Sequence, residues 1–377
     1  MASPPEPPVP SDRFLPQVEG LRAVGILLVV LFHVGLPGFT GGFVGVDVLF
    51  VVSGYIITRL LLAGREATGG VNFVDFYARR ARRLVPAGLA MILATALLSR
   101  ALPVGARHED LGPASVAAVA YLSNLHFIAA SFDYFDAQVA RNPMLHTWSL
   151  GVEAQFYLIW PLLIAYGPRR RWAMALVLGV VTAASLAASV ILTPGNPQQA
   201  FFGLPTRVWE LGAGGLLALV PAGGARRAGG AIALAGLAML LLSALLIGPQ
   251  TPFPGWVAIA PVAGAAAVIF GASEGGWAQR LLGWAPLQAV GRVSYGWYLW
   301  HWPLLILSTA MWPAGGLALR VAAVVVAFGL AVLSYRFLET PIRRARALVA
   351  RPGLTLALAG VAAAATAGGA WLLSLRA

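Results

Sequence analysis

A chain of 377 residues in which 59% are hydrophobic and 11% are charged is too apolar for a soluble domain, where about a quarter of the residues are charged. The formal net charge is +12, and every basic residue is arginine. Most arginines form short runs between apolar segments, which is typical of cytoplasmic membrane loops rather than of a nucleic-acid surface. The absence of cysteine excludes disulfides, thiolate metal sites and a cysteine acyl-enzyme. The composition therefore predicts an all-α, polytopic transmembrane helical bundle.

Residues 1–19 are polar and rich in proline, and we interpret them as a disordered cytoplasmic tail. Apolar segments long enough to cross a bilayer follow this tail. They lie at 20–36, 42–63, 84–102, 147–166, 171–192, 206–221, 228–247, 255–272, 293–312, 315–337 and 353–374.

The segment 113–130 is also apolar, and the arginine runs decide whether it crosses the membrane. If it does not cross, all the runs fall on the cytoplasmic side together with the N-terminus. The runs lie at 79–83, 169–171, 226–227 and 343–346. We therefore expect ten core helices plus an eleventh at 353–374, and a re-entrant or interfacial helix near 113–130. This arrangement divides the chain into the tail, a transmembrane domain at 20–346 and an additional C-terminal helix within 347–377.

Two ionisable residues lie within the first apolar segment, and a third opens the second segment. Arg22 and His33 are eleven residues apart, close to three helical turns, so they share a helix face at a separation of about 16 Å. Ionisable groups inside a membrane span are costly and are usually functional. His33 can act as a general base, Arg22 can bind phosphate, and Asp47 can balance the charge of the histidine. The alternative is a structural network that joins two helices.

An arginine-rich stretch, FYARRARRLVPA at 76–87, separates the second and third predicted spans. Arg79, Arg80 and Arg83 are suited to bidentate contacts with phosphate groups. On charge alone, a plain topology signal or a contact with anionic lipid is the better explanation.

The segment NPMLHTWSLGVEAQFYLIWP at 142–161 places His146, Ser149 and Glu153 on one helix face. Trp148 belongs to an aromatic collar, part of which is an ordinary interface belt. A carboxylate inside an apolar helix needs a partner. The candidate partners of Glu153 are His33, Arg22 and Arg207.

Two further stretches carry polar residues at helical spacing. Arg207 and Glu210 are three residues apart. They form either an ion pair in which each neutralises the other, or part of a functional site. Ser294, Tyr298 and His301 run down one face of a stretch that is otherwise rich in tryptophan. Tyr298 and His301 are candidate substrate contacts or oxyanion donors, although a structural role is slightly favoured for His301.

Several of these motifs, in this order, resemble the acyltransferase-3 family of bacterial inner-membrane O-acyltransferases, of the O-antigen acetylase type. Each motif is weak alone, but together they cover about residues 14–346. The motifs are Gly20-Leu21-Arg22 with His33, GGFVGVDVLFVVSGYIIT (41–58), FYARRARRLVPA (76–87), LHTWSLGVEAQFYLIWP (145–161), and SYGWYLWHWP (294–303) closing on ETPIRR (339–344).

The resemblance implies transfer of an acyl group, usually acetyl from acetyl-CoA, to a hydroxyl of an envelope carbohydrate, a glycolipid or a small acceptor. Family positions carry over to an Arg–His pair, a donor-side arginine cluster and a glutamate. In this chain they are Arg22 and His33, then Arg79, Arg80 and Arg83, and Glu153. Where relatives often have Glu-Glu-Gln, this chain has Glu153-Ala154-Gln155, which excludes a second acidic role at 154.

Many relatives continue into an extracytoplasmic SGNH esterase-like domain, whereas this sequence ends at Ala377. We therefore expect the acyltransferase-3 domain without that appended domain. The acceptor then either comes directly to the membrane core or is served by a separate extracytoplasmic partner. A sequence truncated before such a domain is the remaining alternative.

In the expected mechanism, acyl-CoA docks its phosphates at the arginine cluster and extends its pantetheine arm toward His33. His33 acts as general base on the acceptor hydroxyl, with Glu153 or Asp47 orienting its imidazolium. A covalent acyl-histidine is an alternative route. No His-x-x-His or His-Glu-x-x-His pattern is present, so we expect neither a metal nor a cofactor beyond the acyl-CoA co-substrate. The rival class is a transporter or flippase for a glycan or lipid-linked precursor.

Overall fold

The computed structural model of the protein describes residues 15–101, 110–130, 134–135, 142–221, 228–272 and 276–375. Within these residues all regular secondary structure is helical, which confirms the predicted all-α class. The α-helices are α1 (Pro16–Val34), α2 (Gly45–Thr68), α3 (Phe73–Ala101), α4 (Leu111–Val119), α5 (Ser123–Ala129), α6 (Trp148–Tyr166), α7 (Arg171–Gly195), α8 (Pro197–Phe202), α9 (Leu204–Leu217), α10 (Gly229–Leu246), α11 (Ile259–Ala272), α12 (Gly276–Leu282), α13 (Ala285–Met311), α14 (Gly316–Ser334), α15 (Thr340–Arg344), α16 (Arg346–Ala350) and α17 (Pro352–Ser374).

Eight helical stretches in the described part of the chain are long and apolar enough to cross a membrane. A ninth arises if α11 and α12, which are bent by 112° relative to each other, form one broken span. The protein is therefore a multi-pass helical bundle, but the predicted count of ten core helices plus an eleventh is not confirmed. Most of the predicted tail lies outside the described residues, and α1 begins at Pro16, within the range assigned to that tail.

Three predicted spans have no counterpart among the eight. The span at 255–272 corresponds to α11, which has 14 residues and reaches the length of a span only together with α12. At 206–221 the structure has α9, whose 14 residues are fewer than the roughly 20 that a membrane span needs. At 293–312 it has α13, which is long enough at 27 residues but carries serine, tyrosine, histidine and tryptophan along the bundle interior. These polar residues lower the hydropathy of α13, and several of them belong to the site described below.

The segment 113–130, predicted not to cross, consists of α4 with 9 residues and α5 with 7 residues. A turn separates the two helices at Tyr121, whose φ of 57° is uncommon for a residue that carries a Cβ atom. Neither helix approaches the length of a span. This local structure agrees with the prediction that the segment does not cross the membrane as one helix.

The helices divide into an inner group and an outer group. In the most apolar stretches of α1 and α2, 61% of the residues are buried, against 17% in α7 and 11% in α17. Helices α6, α9 and α13 pack against α1 or α2, whereas α17 packs against α3 and α4 and presents most of its surface outward. A site enclosed by the bundle must therefore be built on α1, α2 and their direct neighbours.

Two glycines allow α2 and α9 to touch along their backbones. A Cβ atom at Gly54 would lie 1.8 Å from the carbonyl oxygen of Leu211, and one at Gly214 would lie 1.9 Å from that of Val51. Small residues at such contacts let membrane helices approach closely. The close contact brings Asp47 of α2 alongside Arg207 of α9.

Candidate active site

A cavity of about 90 Å³ lies between the inner group of helices and α3. Along α2 it extends from Val46 to Ile57, a distance of about 16 Å for a helical rise of 1.5 Å per residue. Its lining combines apolar side chains with charged and hydroxyl groups. The polar lining residues are Arg22, Ser53, Arg80, Arg83, Ser149, Glu153, Tyr157, Ser294, Tyr295 and Tyr298.

One end of this cavity is basic, and we call it the arginine end. Arg80 and Arg83 enter it from the same face of α3, because residues three apart in a helix share a face. Arg22 enters from α1 and lies 3.5 Å from the carboxylate of Glu19. The predicted partner Arg79 does not line the cavity: it pairs with Asp75 and is 42% exposed. The whole stretch is helical as part of α3, and Arg79 differs from its neighbours by its ion pair with Asp75, one turn earlier on the same helix.

Glu153 lines the cavity near its middle and accepts hydrogen bonds from the hydroxyls of Ser53 and Tyr157. These two donors are not among the three predicted partners. Of those three, Arg22 shares the cavity with Glu153, whereas Arg207 pairs elsewhere and His33 has other partners. A hydroxyl one turn away on the same helix, Tyr157, is the local signal that could have indicated this arrangement.

The other end of the cavity is closed by a pair of hydroxyls. The Tyr298 hydroxyl donates to the carbonyl oxygen of His146 at 2.7 Å. Because it has a single proton, its oxygen accepts from the hydroxyl of Ser149, also at 2.7 Å. His301 follows Tyr298 by one turn of α13, so the cavity ends one turn short of the histidines.

Beyond that wall, His33 and His301 form a buried pair, which we call the histidine end. Nδ1 of His301 lies 3.0 Å from the carbonyl oxygen of Trp297 and 2.7 Å from that of Tyr298. A carbonyl only accepts, so Nδ1 carries the proton, and Nε2 of the neutral ring is an acceptor. Nδ1 of His33 lies 2.9 Å from this Nε2 and must donate to it.

The remaining nitrogen of His33 therefore carries a lone pair, and it is directed at a phenol. Nε2 of His33 lies 2.9 Å from the hydroxyl of Tyr134, which donates to it. Burial raises the pKa of Tyr134 well above its usual value near 10, so the phenol keeps its proton at neutral pH. The carbonyl oxygens of Trp297 and Tyr298 thus fix the direction of the whole chain of hydrogen bonds. Tyr134 donates to His33, His33 donates to His301, and His301 donates to these carbonyls.

Tyr134 is not among the residues predicted from the sequence. It lies outside the helices and stacks on Phe201, with ring centroids 4.5 Å apart and ring planes at 25°. Its neighbour Phe135 packs edge-on against Phe201 and Phe43. The sequence offers one weak signal, an aromatic pair in the loop between the segment 113–130 and His146, on the side of the bundle predicted for His33.

Asp47, Arg207 and Glu210 form a separate buried ion cluster. Arg207 lies 3.3 Å from Asp47 and 3.0 Å from Glu210, and all three side chains are at most 1% exposed. The predicted pairing of Arg207 with Glu210 is present, but Asp47 lies with Arg207 rather than with His33. The guanidinium also lies 5.5–5.7 Å from four aromatic rings. These are the rings of Phe50, Trp148, Phe201 and Phe253.

His146 and Trp148 lie beside the histidine end and the buried ion cluster. His146 lies in a short 3₁₀ turn before α6 and donates from Nε2 to the carbonyl oxygen of Leu299 at 3.1 Å. Its ring meets that of His301 edge-on, with centroids 5.9 Å apart. Trp148 is 1% exposed and packs between Arg207 and Tyr134. Both residues therefore support the histidine end without lining the cavity.

The fold and the site define a multi-pass membrane protein whose bundle holds an arginine-lined cavity beside a buried histidine pair. Residues 15–336 match the family model described as the acyltransferase-3 acyltransferase domain. The chain belongs to the acyltransferase-3 family, as the ordered motifs predict. No solved structure matches the chain.

The chain is similar to several curated O-acetyltransferases. The chain is 34% identical over 351 residues, 88% of its length, to a Bacillus subtilis (strain 168) protein named provisionally as a peptidoglycan O-acetyltransferase. It is 31% identical over 362 residues to a peptidoglycan O-acetyltransferase of Listeria monocytogenes. It is 30% identical over 355 residues to an O-acetyltransferase of Staphylococcus aureus. The matches to the last two cover 89% of this chain. The matched region spans 55%, 56% and 58% of these three relatives.

Proposed function

We propose that the protein is an O-acyltransferase of the bacterial inner membrane, with its N-terminus in the cytoplasm. It takes an acyl group, acetyl in the first instance, from cytoplasmic acyl-CoA and delivers it to a hydroxyl of an envelope polysaccharide. Two of the three relatives are named as peptidoglycan O-acetyltransferases and the third as an O-acetyltransferase, which favours peptidoglycan as the acceptor. The observation that carries the proposal is the directed hydrogen-bond chain from Tyr134 to His33 to His301.

The donor binds at the arginine end of the cavity. The described lining carries three guanidinium groups, those of Arg22, Arg80 and Arg83, against the carboxylate of Glu153. Glu19 lies 3.5 Å from Arg22, outside the lining, and Arg80 and Arg83 add two further guanidinium groups to the same end of the cavity. Guanidinium groups bind phosphate through paired hydrogen bonds, so the phosphates of acyl-CoA fit this end. The pantetheine arm then extends along α2 toward the Ser149–Tyr298 wall.

The transfer takes place at the histidine end. A nucleophile, a base within hydrogen-bond reach and a third group that orients the base are the signature of nucleophilic catalysis. Tyr134 gives its proton to Nε2 of His33, and its oxygen attacks the thioester carbonyl. The C–S bond breaks, the ester forms on Tyr134, and the CoA thiolate takes the proton from His33. His301 accepts from Nδ1 of His33 throughout and stabilises the imidazolium.

The second step returns the enzyme to its starting state. The acceptor hydroxyl gives its proton to Nε2 of His33 and attacks the ester on Tyr134. The acyl group moves to the acceptor, and Tyr134 recovers a proton from His33. In this proposal His301, rather than Glu153 or Asp47, orients the base, and Glu153 belongs to the donor cavity. The thioester has to pass Tyr298 to reach Tyr134, which implies that the Tyr298 side chain moves during loading.

Release of CoA from acetyl-CoA by the purified protein in lipid vesicles tests this proposal. The chain has no cysteine, so a thiol reagent reports the released CoA without a background from the protein. We expect a burst of thiol that approaches one per chain and is lost in His33→Gln. A well-folded protein that moves glycan precursors across the vesicle membrane but releases no thiol would contradict the proposal in favour of a transporter.

A further inference from the structure

An arginine of α14 reaches the histidine end of the bundle. Arg320 lies one turn into α14, four residues after Gly316. Its Nη1 atom lies 2.7 Å, and its Cζ atom 3.5 Å, from the position that a Cβ atom at Gly35 would occupy. Gly35 directly follows α1 and lies two residues after His33. Because two residues span at most about 7 Å, the guanidinium lies within about 11 Å of the Cα atom of His33.

No carboxylate pairs with this guanidinium in the part of the chain that the structure describes. The ion pairs there join carboxylates to other arginines and to a histidine. The hydrogen bond recorded for Arg320 runs from Nε to the carbonyl oxygen of Gly316 at 3.4 Å, so it does not use the Nη groups. The residue is partly exposed, as expected for an arginine that keeps its charged head in water. Its Nη groups are therefore available to an anion from solution.

The chain in front of this guanidinium carries little side-chain bulk. It is the loop 35–41, in which Gly35 and Gly38 are exposed and have φ values of 73° and 87°. Such left-handed conformations favour glycine. A Cβ atom at Gly38 would meet nothing within 4 Å, whereas one at Gly35 would collide with the guanidinium. The bare backbone thus leaves open space beside Arg320 at the end of α1.

This open space lies on the far side of the histidine pair from the donor cavity. The donor cavity ends at the hydroxyl wall, and the histidine pair lies beyond that wall. The loop 35–41 continues past His33, because α1 ends one residue after it. His33 is itself partly exposed, although both of its ring nitrogens have partners. An acceptor that approaches His33 from this end therefore meets the guanidinium of Arg320.

We propose that Arg320 binds a carboxylate of the acceptor and thereby selects acidic glycans over neutral ones. The inference rests on the proposed function, because it describes how the acceptor of that reaction is recognised. A guanidinium binds a carboxylate through two parallel hydrogen bonds, which orient the glycan as well as hold it. A carboxylate on the sugar that is acylated can then bind Arg320 while a hydroxyl of the same sugar faces Tyr134.

The experiment follows acyl transfer to two disaccharides that differ by one negative charge. They are N-acetylglucosaminyl-N-acetylmuramic acid and its carboxamide. Purified protein in vesicles of neutral phosphatidylcholine receives labelled acetyl-CoA, and mass spectrometry measures the acetylated sugar. We expect kcat/KM of the wild-type protein to be about 10- to 100-fold higher with the carboxylate, since hydrogen bonds to charged groups are the stronger ones. The burst of CoA thiol counts the molecules that are folded and bind the donor.

Three variants assign the preference to one side chain. Arg320→Gln should lower kcat/KM with the carboxylate to the value measured with the carboxamide. Arg320→Lys keeps the charge but loses the paired geometry, so it should retain part of the preference. Arg100→Gln is the matched control, because Arg100 is exposed and lies 17 residues after Arg83 on α3, about 25 Å from the arginine end. It should keep the full preference.

Titration calorimetry of the two disaccharides makes the same comparison without turnover. Equal Kd values in the wild-type protein, or a wild-type preference in folded Arg320→Gln, would overturn the carboxylate site and leave the acyltransferase intact. A purely structural role at the end of α1 predicts instead that Arg320→Gln lowers thermal stability and both transfer rates alike. That result would also overturn the proposal.

An anionic lipid is the other ligand that suits a guanidinium near a membrane surface. If Arg320→Gln lowers thermal stability only in vesicles that contain phosphatidylglycerol, and the two disaccharides are acetylated equally, Arg320 binds lipid and the proposal fails. Absence of any CoA burst from the folded wild-type protein would instead contradict the proposed function itself.

Discussion

The two ends of the site are built in opposite ways. At the arginine end, guanidinium groups line an open cavity in which positive charge exceeds negative charge. At the histidine end, all four ring nitrogens of His33 and His301 have partners at 2.7–3.0 Å. The arginine end presents charged side chains to the cavity, whereas the ring nitrogens of the histidine end already have hydrogen-bond partners within the protein.

This difference indicates a division of labour. Guanidinium groups that face a cavity can bind an anion through paired hydrogen bonds, so the arginine end is suited to binding. A hydrogen-bond chain with a fixed direction holds one nitrogen lone pair ready for a proton, so the histidine end is suited to chemistry. Variants at the two ends should consequently alter different kinetic constants, and the following predictions use that contrast.

The largest effect is expected at His33. His33→Gln keeps the approximate volume of the side chain but removes the base, and general-base catalysis contributes about 10²- to 10⁴-fold. We expect the rate of CoA release to fall by about three orders of magnitude while the Kd for acyl-CoA stays unchanged. Thiol release measures the rate, and calorimetric titration with a non-hydrolysable acyl-CoA measures the affinity. A large loss of affinity with a normal maximal rate would place His33 at the binding end.

His301 comes next, as a positioning residue. His301→Phe removes the acceptor for Nδ1 of His33, so the second tautomer of His33 becomes accessible and the lone pair no longer points consistently at Tyr134. We expect kcat to fall about 100-fold with KM for acyl-CoA within a factor of two, since orientation of the base is lost but the base remains.

The control for His301 uses the pH dependence of the rate. A purely structural role for His301 would lower the amount of folded protein and leave the pH profile of the remaining activity unchanged. The orienting role predicts that the acidic limb of the profile shifts to lower pH, because the imidazolium of His33 loses the group that stabilises it and the base stays neutral in more acidic solution. A His301→Phe variant that has the wild-type kcat per folded molecule would contradict the orienting role.

A smaller effect on kcat, but a clear one on KM, is expected at the arginine end. Arg80→Gln and Arg83→Gln should each raise KM for acyl-CoA about 10- to 100-fold, since a hydrogen bond to a charged group contributes about 1.5–3 kcal/mol. Arg79→Gln is the matched control on the same helix, because Arg79 pairs with Asp75 outside the cavity. Equal effects of all three variants would mean that α3 attracts the donor only through its total charge.

The smallest effect on the chemistry is expected at the buried ion cluster. Arg207→Met leaves Asp47 and Glu210 without their counter-ion, and breaking a buried pair costs about 3–5 kcal/mol of stability. The triple replacement Asp47→Leu, Arg207→Met and Glu210→Met should recover most of that loss. Thermal unfolding in detergent measures both. A triple variant that is stable but inactive would show that the cluster takes part in catalysis.

Much of the fold follows from the sequence because hydrophobicity and arginine placement act over whole segments. The all-α class, eight of the long spans and the lack of a single long helix at 113–130 are predicted this way. The helix count is not, because α9 and α11 are short and α13 is polar. Helices α9 and α13 are stabilised by their partners in the bundle rather than by contact with lipid, and hydropathy reports only the latter.

The site is only partly predictable, for a related reason. Spacing along one helix correctly places Arg80 with Arg83, Arg207 with Glu210, and Tyr298 with His301. Partners on different helices depend on how the bundle packs. Asp47 therefore pairs with Arg207 rather than with His33, and Glu153 accepts from Ser53, which was not among its three candidate partners. Tyr134 lies outside the helices, where no periodicity marks it.

Direct detection of an acyl ester on Tyr134 tests the central claim, that the histidine end performs the chemistry on this phenol. The protein in vesicles is mixed with ¹³C-labelled acetyl-CoA, quenched in acid within the burst and digested for mass spectrometry. We predict a labelled acetyl group on Tyr134 in the wild-type protein, less of it in His301→Phe, and none in His33→Gln or Tyr134→Phe. A full burst of CoA in Tyr134→Phe, or a label that accumulates on His33 instead, would contradict the account.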